Sequence, residues 1–167
     1  MSELRTNRII PRDGLPAGSS GGIIQIKQVI HSKSLSFNQN AWTAGSSSVG
    51  SFAITITPTR SDSNILVSMN SMYDHNQAGQ RVYLSFYRSI GGGTAENVLT
   101  GTGAGRGLME FWQNSTRIQA STMCQFLDSP NTTSAVTYTV YCNVSTGTFY
   151  LGLYDNQKFM HAMEVSG

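Results

Sequence analysis

The sequence predicts an all-β protein, an antiparallel jelly-roll-like β-sandwich preceded by an extended N-terminal leader. Three observations carry that expectation. Charged residues occupy only 12% of the 167 positions, about half the usual share for a globular domain. Ser, Thr, Asn and 17 glycines replace them, a mixture that suits strands and turns and argues against a helical bundle. Segments beyond Gly22 alternate in polarity with period two, as strands do when one side is packed and the other wet.

Residues 1–22 form the expected leader. Pro11, Gly14, Pro16, Gly18, Gly21 and Gly22 break any helix or ladder there. Leu4, Ile9 and Ile10 are apolar hooks in a segment too short to bury them by itself. Arg5, Arg8 and Arg12 supply forked donors for carbonyls or carboxylates of a receiving protein. An extended leader of this kind can also add a strand to a partner sheet.

Residues 23–167 form the expected head domain, long enough to bury a core without disulfides or metal. Its strand candidates begin with residues 23–30. Residues 51–57 follow, with Phe52, Ile54 and Ile56 on one face and a stop at Pro58. Next come residues 64–73 and 81–90, the latter with Val82, Leu84 and Phe86 on one face. After the Gly91-Gly92-Gly93 loop, the candidates are 108–113, 117–127, 136–144, 149–154 and 159–165. About nine strands with no credible helix leave a sandwich or a barrel, and the sandwich is favoured. Tyr83 and Tyr87 sit opposite the Val82 face, and Tyr150 and Tyr154 opposite Phe149, Leu151 and Leu153. Those aromatic outer faces read either as ordinary surface tyrosines and two-sided core, or as surfaces that neighbouring subunits bury.

The chemistry-bearing patterns are few. A net charge of +2 gives no strong case for nucleic acid or an anionic membrane. The N-terminus has no apolar core of a secretory signal, and no apolar run is long enough to insert in a bilayer. The chain therefore reads as made in a reducing cytoplasm without export. Cys124 and Cys142 match neither a CxxC nor a zinc pattern, and Cys142 falls on an apolar alternating face as a small buried hydrophobe. Gly101-Thr102-Gly103-Ala104-Gly105-Arg106-Gly107 fails as a dinucleotide loop, because Arg106 occupies the third glycine position and no βαβ pattern surrounds it. His31, His75 and His161 have no metal-ligand companions. His161 alternates with Phe159, Met163 and Val165, so it reads as a core or interface histidine. Nine carboxylates are scattered, without a pair suited to glycoside chemistry. The expectation is a non-enzymatic protein with no cofactor and no metal.

Three stretches carry a family resemblance. Ser2-Glu3-Leu4-Arg5-Thr6-Asn7-Arg8-Ile9-Ile10-Pro11-Arg12-Asp13-Gly14 resembles the leader of many short virion proteins of tailed phages, cyanophages among them. Leu127-Asp128-Ser129-Pro130-Asn131-Thr132-Thr133-Ser134-Ala135-Val136-Thr137-Tyr138 resembles a segment of the heads of the same group. Ala162-Met163-Glu164-Val165 resembles their ending. The resemblance covers the leader and the last third of the chain. It implies a homotrimeric β-head mounted on other virion proteins by its leader, with Leu4, Arg5, Arg8, Ile9, Ile10 and Arg12 as the virion anchor. Short tail fibre or appendage is the leading reading; a capsid decoration or tail-adaptor protein without a receptor role is the alternative. A fibre head would meet host-surface glycan with loops remote from Gly22. The polar turns at Asp74, His75 and Asn76 and at Tyr154, Asp155 and Asn156 are the candidates, because amide, carboxylate and aromatic groups suit sugars.

Overall fold

The computed structural model describes residues 22–45, 47–48, 50–98, 107–112 and 114–167. The leader expectation at Leu4, Arg5, Arg8, Ile9, Ile10 and Arg12 lies outside the described residues, as does most of the glycine-rich loop before Gly107.

Among the described residues eleven strands follow one another as β1 (Ile23–His31), β2 (Leu35–Phe37), β3 (Ala53–Ile56), β4 (Asn64–His75), β5 (Arg81–Ile90), β6 (Glu96–Asn97), β7 (Met109–Trp112), β8 (Ile118–Asp128), β9 (Val136–Val144), β10 (Phe149–Leu151) and β11 (Lys158–Val165). They form two antiparallel sheets. In sheet A, β4 pairs along its length with β8 on one side. Its other side pairs first with β11, which carries β1, and then with β10, which carries β2. Sheet B runs β3-β9-β5, with β6 and β7 both on β5. Late strands thus slot between early ones in both sheets. This double-Greek-key order is that of a jelly roll, and the all-β sandwich expected from the sequence is the observed fold.

The core lies between the sheets. Val82, Leu84 and Phe86 of β5 face it as their alternation requires, and Val136, Tyr138, Val140, Cys142 and Val144 of β9 do the same. Phe149 is the hub at one end: its ring lies 5.3 Å from Phe111 of sheet B and 6.2 Å from Phe37 of sheet A, centroid to centroid. At the other end a polar tie joins the sheets. Arg88 of β5 donates to both Asp128 oxygens at 2.9 and 3.0 Å, and the Tyr138 hydroxyl donates to Asp128 Oδ2 at 2.7 Å. Burial first, then the Asp128 hydrogen bond, pushes the Tyr138 phenol far above its ordinary range.

Several boundaries differ from the sequence expectation. β2 and β6 are strands the alternation did not mark, being only three and two residues long. The segment expected to be a strand to residue 154 stops at Leu151, because Gly152, Tyr154 and Asp155 adopt left-handed backbone and turn the chain. β4 runs on to His75, two residues past its expected end at Tyr73. β11 is the largest departure. Its outward face carries Phe159, His161 and Met163, while Lys158, Met160, Ala162 and Glu164 point into the sandwich and are buried.

Candidate functional site

The head has two ends. At one, Gly22 and Ser166 exchange hydrogen bonds, beside the start of β4 at Asn64. At the other lies His75. Eleven steps along β4 separate Asn64 from His75, a span of about 36 Å at the usual rise. Both sets of expected receptor-facing residues lie toward the end remote from Gly22.

Asp74 and His75 are not turn residues, which corrects the sequence expectation. They are the last two residues of β4, and both are 1% exposed. Asp74 is paired with Tyr150 of β10 and Gln119 of β8, while His75 packs edge-on to Phe149 at 5.9 Å. Burial, offset in part by Asp74, pulls the His75 imidazole below its ordinary value. Strand pairing on both sides extended β4 through residues whose polarity alone suggests a turn. Asn76 is exposed, and its Oδ1 accepts the Thr148 N–H at 3.2 Å, tying down the β9–β10 connection.

The two candidate segments meet through a residue the sequence did not single out. Arg117 Nε donates to Asp74 Oδ2 at 2.8 Å, and its Nη2 donates to the Tyr154 hydroxyl at 3.4 Å. The Asp74 carboxylate, with the Tyr154 oxygen, holds the Arg117 guanidinium above its ordinary value. Tyr154 is 76% exposed and sits at φ 57°, ψ 34°, a region an aromatic side chain seldom occupies. Asp155 beside it is pinned: Lys33 Nζ donates to it at 2.6 Å and the Ser34 N–H at 3.0 Å. Those contacts, Lys33 foremost, hold its carboxyl below the usual carboxylate range. Asn156 is exposed and closes the turn by donating from Nδ2 to the Leu153 carbonyl at 2.8 Å.

Beneath the turn, Lys158 is fully buried, with Nζ donating to the Lys33 and Asn156 carbonyls. Desolvation lowers its pKa to about 8, against the pull of Asp155. Chain separations of 43 residues for Asp74 to Arg117 and 125 for Lys33 to Lys158 explain why no local pattern announced either. The cluster thus presents an exposed phenol ring and a half-exposed guanidinium on a carboxylate-braced base. Hydrogen bonding and stacking are the chemistry available there. Among the described residues no group of three or more His, Cys, Asp or Glu side chains gathers to hold a metal. Burial pushes the Cys124 thiol up to about 12 and the Cys142 thiol well above its ordinary value, so neither is a nucleophile at neutral pH.

The outward side of sheet A is the second candidate surface. Register aligns its side chains in rows across β1, β11, β4 and β8. Ile26, Met163, Leu66 and Leu127 make one row, and Gln28, His161, Ser68 and Gln125 the next. Ile30, Phe159, Asn70 and Met123 make the third. Met123 is 67% exposed, Leu127 59%, Ile26 54% and Ile30 53%. None of the three rows contains Lys, Arg, Asp or Glu. The outward side of sheet B is different: Thr55, Thr137, Thr139, Tyr141, Tyr83 and Tyr87 dominate it. Tyr87 stacks on Tyr141 at 4.0 Å and lies 5.8 Å from Trp42, so its ring is engaged within the chain.

These features define the protein as a jelly-roll sandwich with one braced polar end and one sheet face that carries two largely apolar rows on either side of a polar one. No family model matches the chain, and no curated protein matches it. Among solved structures it is similar to the Gx strain of infectious bursal disease virus, with 10% identity and a TM-score of 0.43 over 97% of this chain and 44% of that one. It is likewise similar to the VP2 subviral particle of that virus, with 12% identity and a TM-score of 0.43 over 95% of this chain and 42% of that one. The chain spans less than half the length of the structures it matches, and at that distance the likeness carries no functional argument.

Proposed function

We propose that this chain is a non-enzymatic structural protein of a tailed-phage virion: a short, trimeric tail fibre or appendage, anchored by its leader, whose far end meets host-surface glycan. The observation that supports it best is the polarity of the head. The leader joins at Gly22, while the exposed ring of Tyr154 stands at the opposite end on a base braced by Arg117, Asp74 and Lys33. An anchored head needs that separation between attachment and contact. The resemblance of residues 2–14, 127–138 and 162–165 to tailed-phage virion proteins points the same way.

Immunogold labelling of virus particles with an antibody raised against the purified chain tests the reading. Label at the tail is expected. Label distributed over the capsid replaces it with the decoration-protein alternative, and particles that lack the chain by mass spectrometry overturn it. Tyr154→Ala in assembled particles is expected to reduce adsorption to host cells at least tenfold while particle loading stays normal. Unchanged adsorption removes the glycan contact from this turn.

A further inference from the structure

We propose that the Arg117–Tyr154 pair and a polar cavity beside β2 are the two ends of one track for an acidic oligosaccharide, with Arg117 taking a carboxylate-bearing sugar unit. The inference rests on the glycan contact proposed above and adds the ligand's charge, its length and a second binding position.

Two costly features converge on one spot. Val67 and Met69 of β4 face the core, so alternation puts Asp74 on the outward side of sheet A, where a carboxylate is ordinarily wet. Asp74 is nevertheless buried, and its Oδ1 has no hydrogen-bond partner among the described residues. Tyr154 holds left-handed backbone. Each arrangement costs stability, and Arg117 is what they share: Asp74 fixes its Nε and the Tyr154 hydroxyl its Nη2. Its third nitrogen, Nη1, has no hydrogen-bond partner among the described residues. A guanidinium held in a set plane is suited to forked bonds with a carboxylate. The surroundings favour an anion as well, because the turn gathers Lys33, Arg117 and Lys158 against Asp74 and Asp155. The exposed Tyr154 ring beside the fork can stack on the apolar face of a sugar.

Register supplies the second end. Ser36, Tyr150, Asp74 and Gln119 are neighbours in one row across β2, β10, β4 and β8. Ser36 lines a cavity of about 250 Å³ together with Asn38, Gln39 and Thr43. Those hydroxyls and amides both donate and accept hydrogen bonds, as sugar hydroxyls do. The cavity is smaller than the roughly 300–1,000 Å³ that encloses a drug-sized molecule, so it suits one unit of a chain. Half-buried Tyr150 lies between it and Asp74. From β2 to β8 the row crosses about 14 Å at the usual strand spacing, the reach of a short oligosaccharide and not of one sugar.

A microarray of bacterial polysaccharides, each printed in native and in carboxyl-reduced form, tests the track with the full-length chain. Binding is expected on members that carry uronic acids, and a fall of at least about tenfold once their carboxylates are reduced to alcohols. Arg117→Lys keeps a cation against Asp74 but loses the fork, and is expected to bind the native members with a similar loss. The unaltered protein gives a readout that no misfolded variant can confuse: affinity for fragments of a bound polysaccharide should rise from one sugar unit to a short oligomer and then level off. Asn38→Ala with Gln39→Ala, both exposed positions, should remove most of that rise. Equal binding to native and reduced members, or unchanged binding by Arg117→Lys, overturns the acidic ligand. Affinity independent of length, or a full rise in the double variant, overturns the track. Each of those outcomes leaves the glycan contact standing, whereas a chain that binds no member in either form overturns both.

Discussion

The two sheets obey the same period-two rule and spend it differently. Apart from Arg88 and Tyr138, which reach inward to Asp128, sheet B sorts its residues as a half-wet sheet should: Val, Leu, Phe and Cys inward, Thr, Tyr, Ser and Asn outward. Sheet A places apolar side chains on both sides and tucks Lys158 and Glu164 into the interior, each held by backbone groups of a loop. Thr and Tyr are comfortable at a water boundary because a hydroxyl caps each. Phe159, Met163 and Leu127 have no such cap. The contrast shows that aromatic content is a poor guide to which sheet turns uncapped apolar side chains outward. Of the sequence's outward tyrosines, Tyr87 stacks on Tyr141, while the uncapped face is built largely from Ile, Leu and Met.

The sharpest way to break this comparison uses one residue type on both sheets. Phe86→Ala, inward on sheet B, is expected to cost about 3–5 kcal/mol, measured by urea unfolding of dilute protein. Phe159→Ala, outward on sheet A, is expected to cost under about 1 kcal/mol in the same assay. Equal losses would mean that sheet A's outward side is core.

Removing an inward polar group probes the other half of the contrast. Glu164→Ala strands the Thr59 and Arg60 N–H groups and the Gln25 amide, and is expected to cost about 2–4 kcal/mol. Glu164 also sets an acid limit. Burial works against the carboxylate, but the hydrogen bonds from Gln25 and Thr59 prevail and hold its pKa below the ordinary value. The stabilisation is therefore present above the unfolded-state pKa and is lost as pH falls through the folded one. The stability gap between the native chain and Glu164→Ala should close in acid.

Lys158 has the opposite dependence. Its folded pKa of about 8 lies below the ordinary lysine value of 10.5, so between those values the unfolded chain binds more protons and stability rises with pH. Urea unfolding at pH 7 and at pH 10 should show a gain in the native chain that Lys158→Met lacks. The smallest effect belongs to the exposed turn. Tyr154→Gly relieves left-handed backbone at the expense of one weak hydrogen bond, and stability should be unchanged or rise by up to about 1 kcal/mol. A loss above about 2 kcal/mol would make Tyr154 part of the fold and not a presented group.

Legibility in the sequence followed the same divide. β5 and β9 were the most directly readable strands, because Val82, Leu84, Phe86, Val136, Val140, Cys142 and Val144 face inward as their polarity requires; Arg88 and Tyr138, which point inward to Asp128, are the exceptions. β11 could not: its alternation marks Phe159, His161 and Met163 as one face, but nothing local reveals that Glu164 finds Thr59 or that Lys158 finds Lys33. Asp74 and His75 look like a turn for the same reason, since the strands that pair with them lie dozens of residues away. The remoteness of the Tyr154 turn from Gly22 was expected only as a requirement, and the Arg117 brace that joins it to Asp74 had no signal at all. The leader anchor lies outside the described residues.

The position of β11 between β1 and β4 also bears on biosynthesis. Ile23 must wait for Val165 to close the sheet, so a ribosome has to extrude residues 158–165 before the earlier strands can take their final neighbours. Until then β1 and β4 expose open edges and uncapped apolar side chains, the combination that recruits other nascent chains. Pairings of such long sequence separation form slowly. A truncation before residue 158 should therefore yield not a smaller soluble head but inclusion bodies, and expression at low temperature with abundant chaperone should raise the soluble yield of the intact protein.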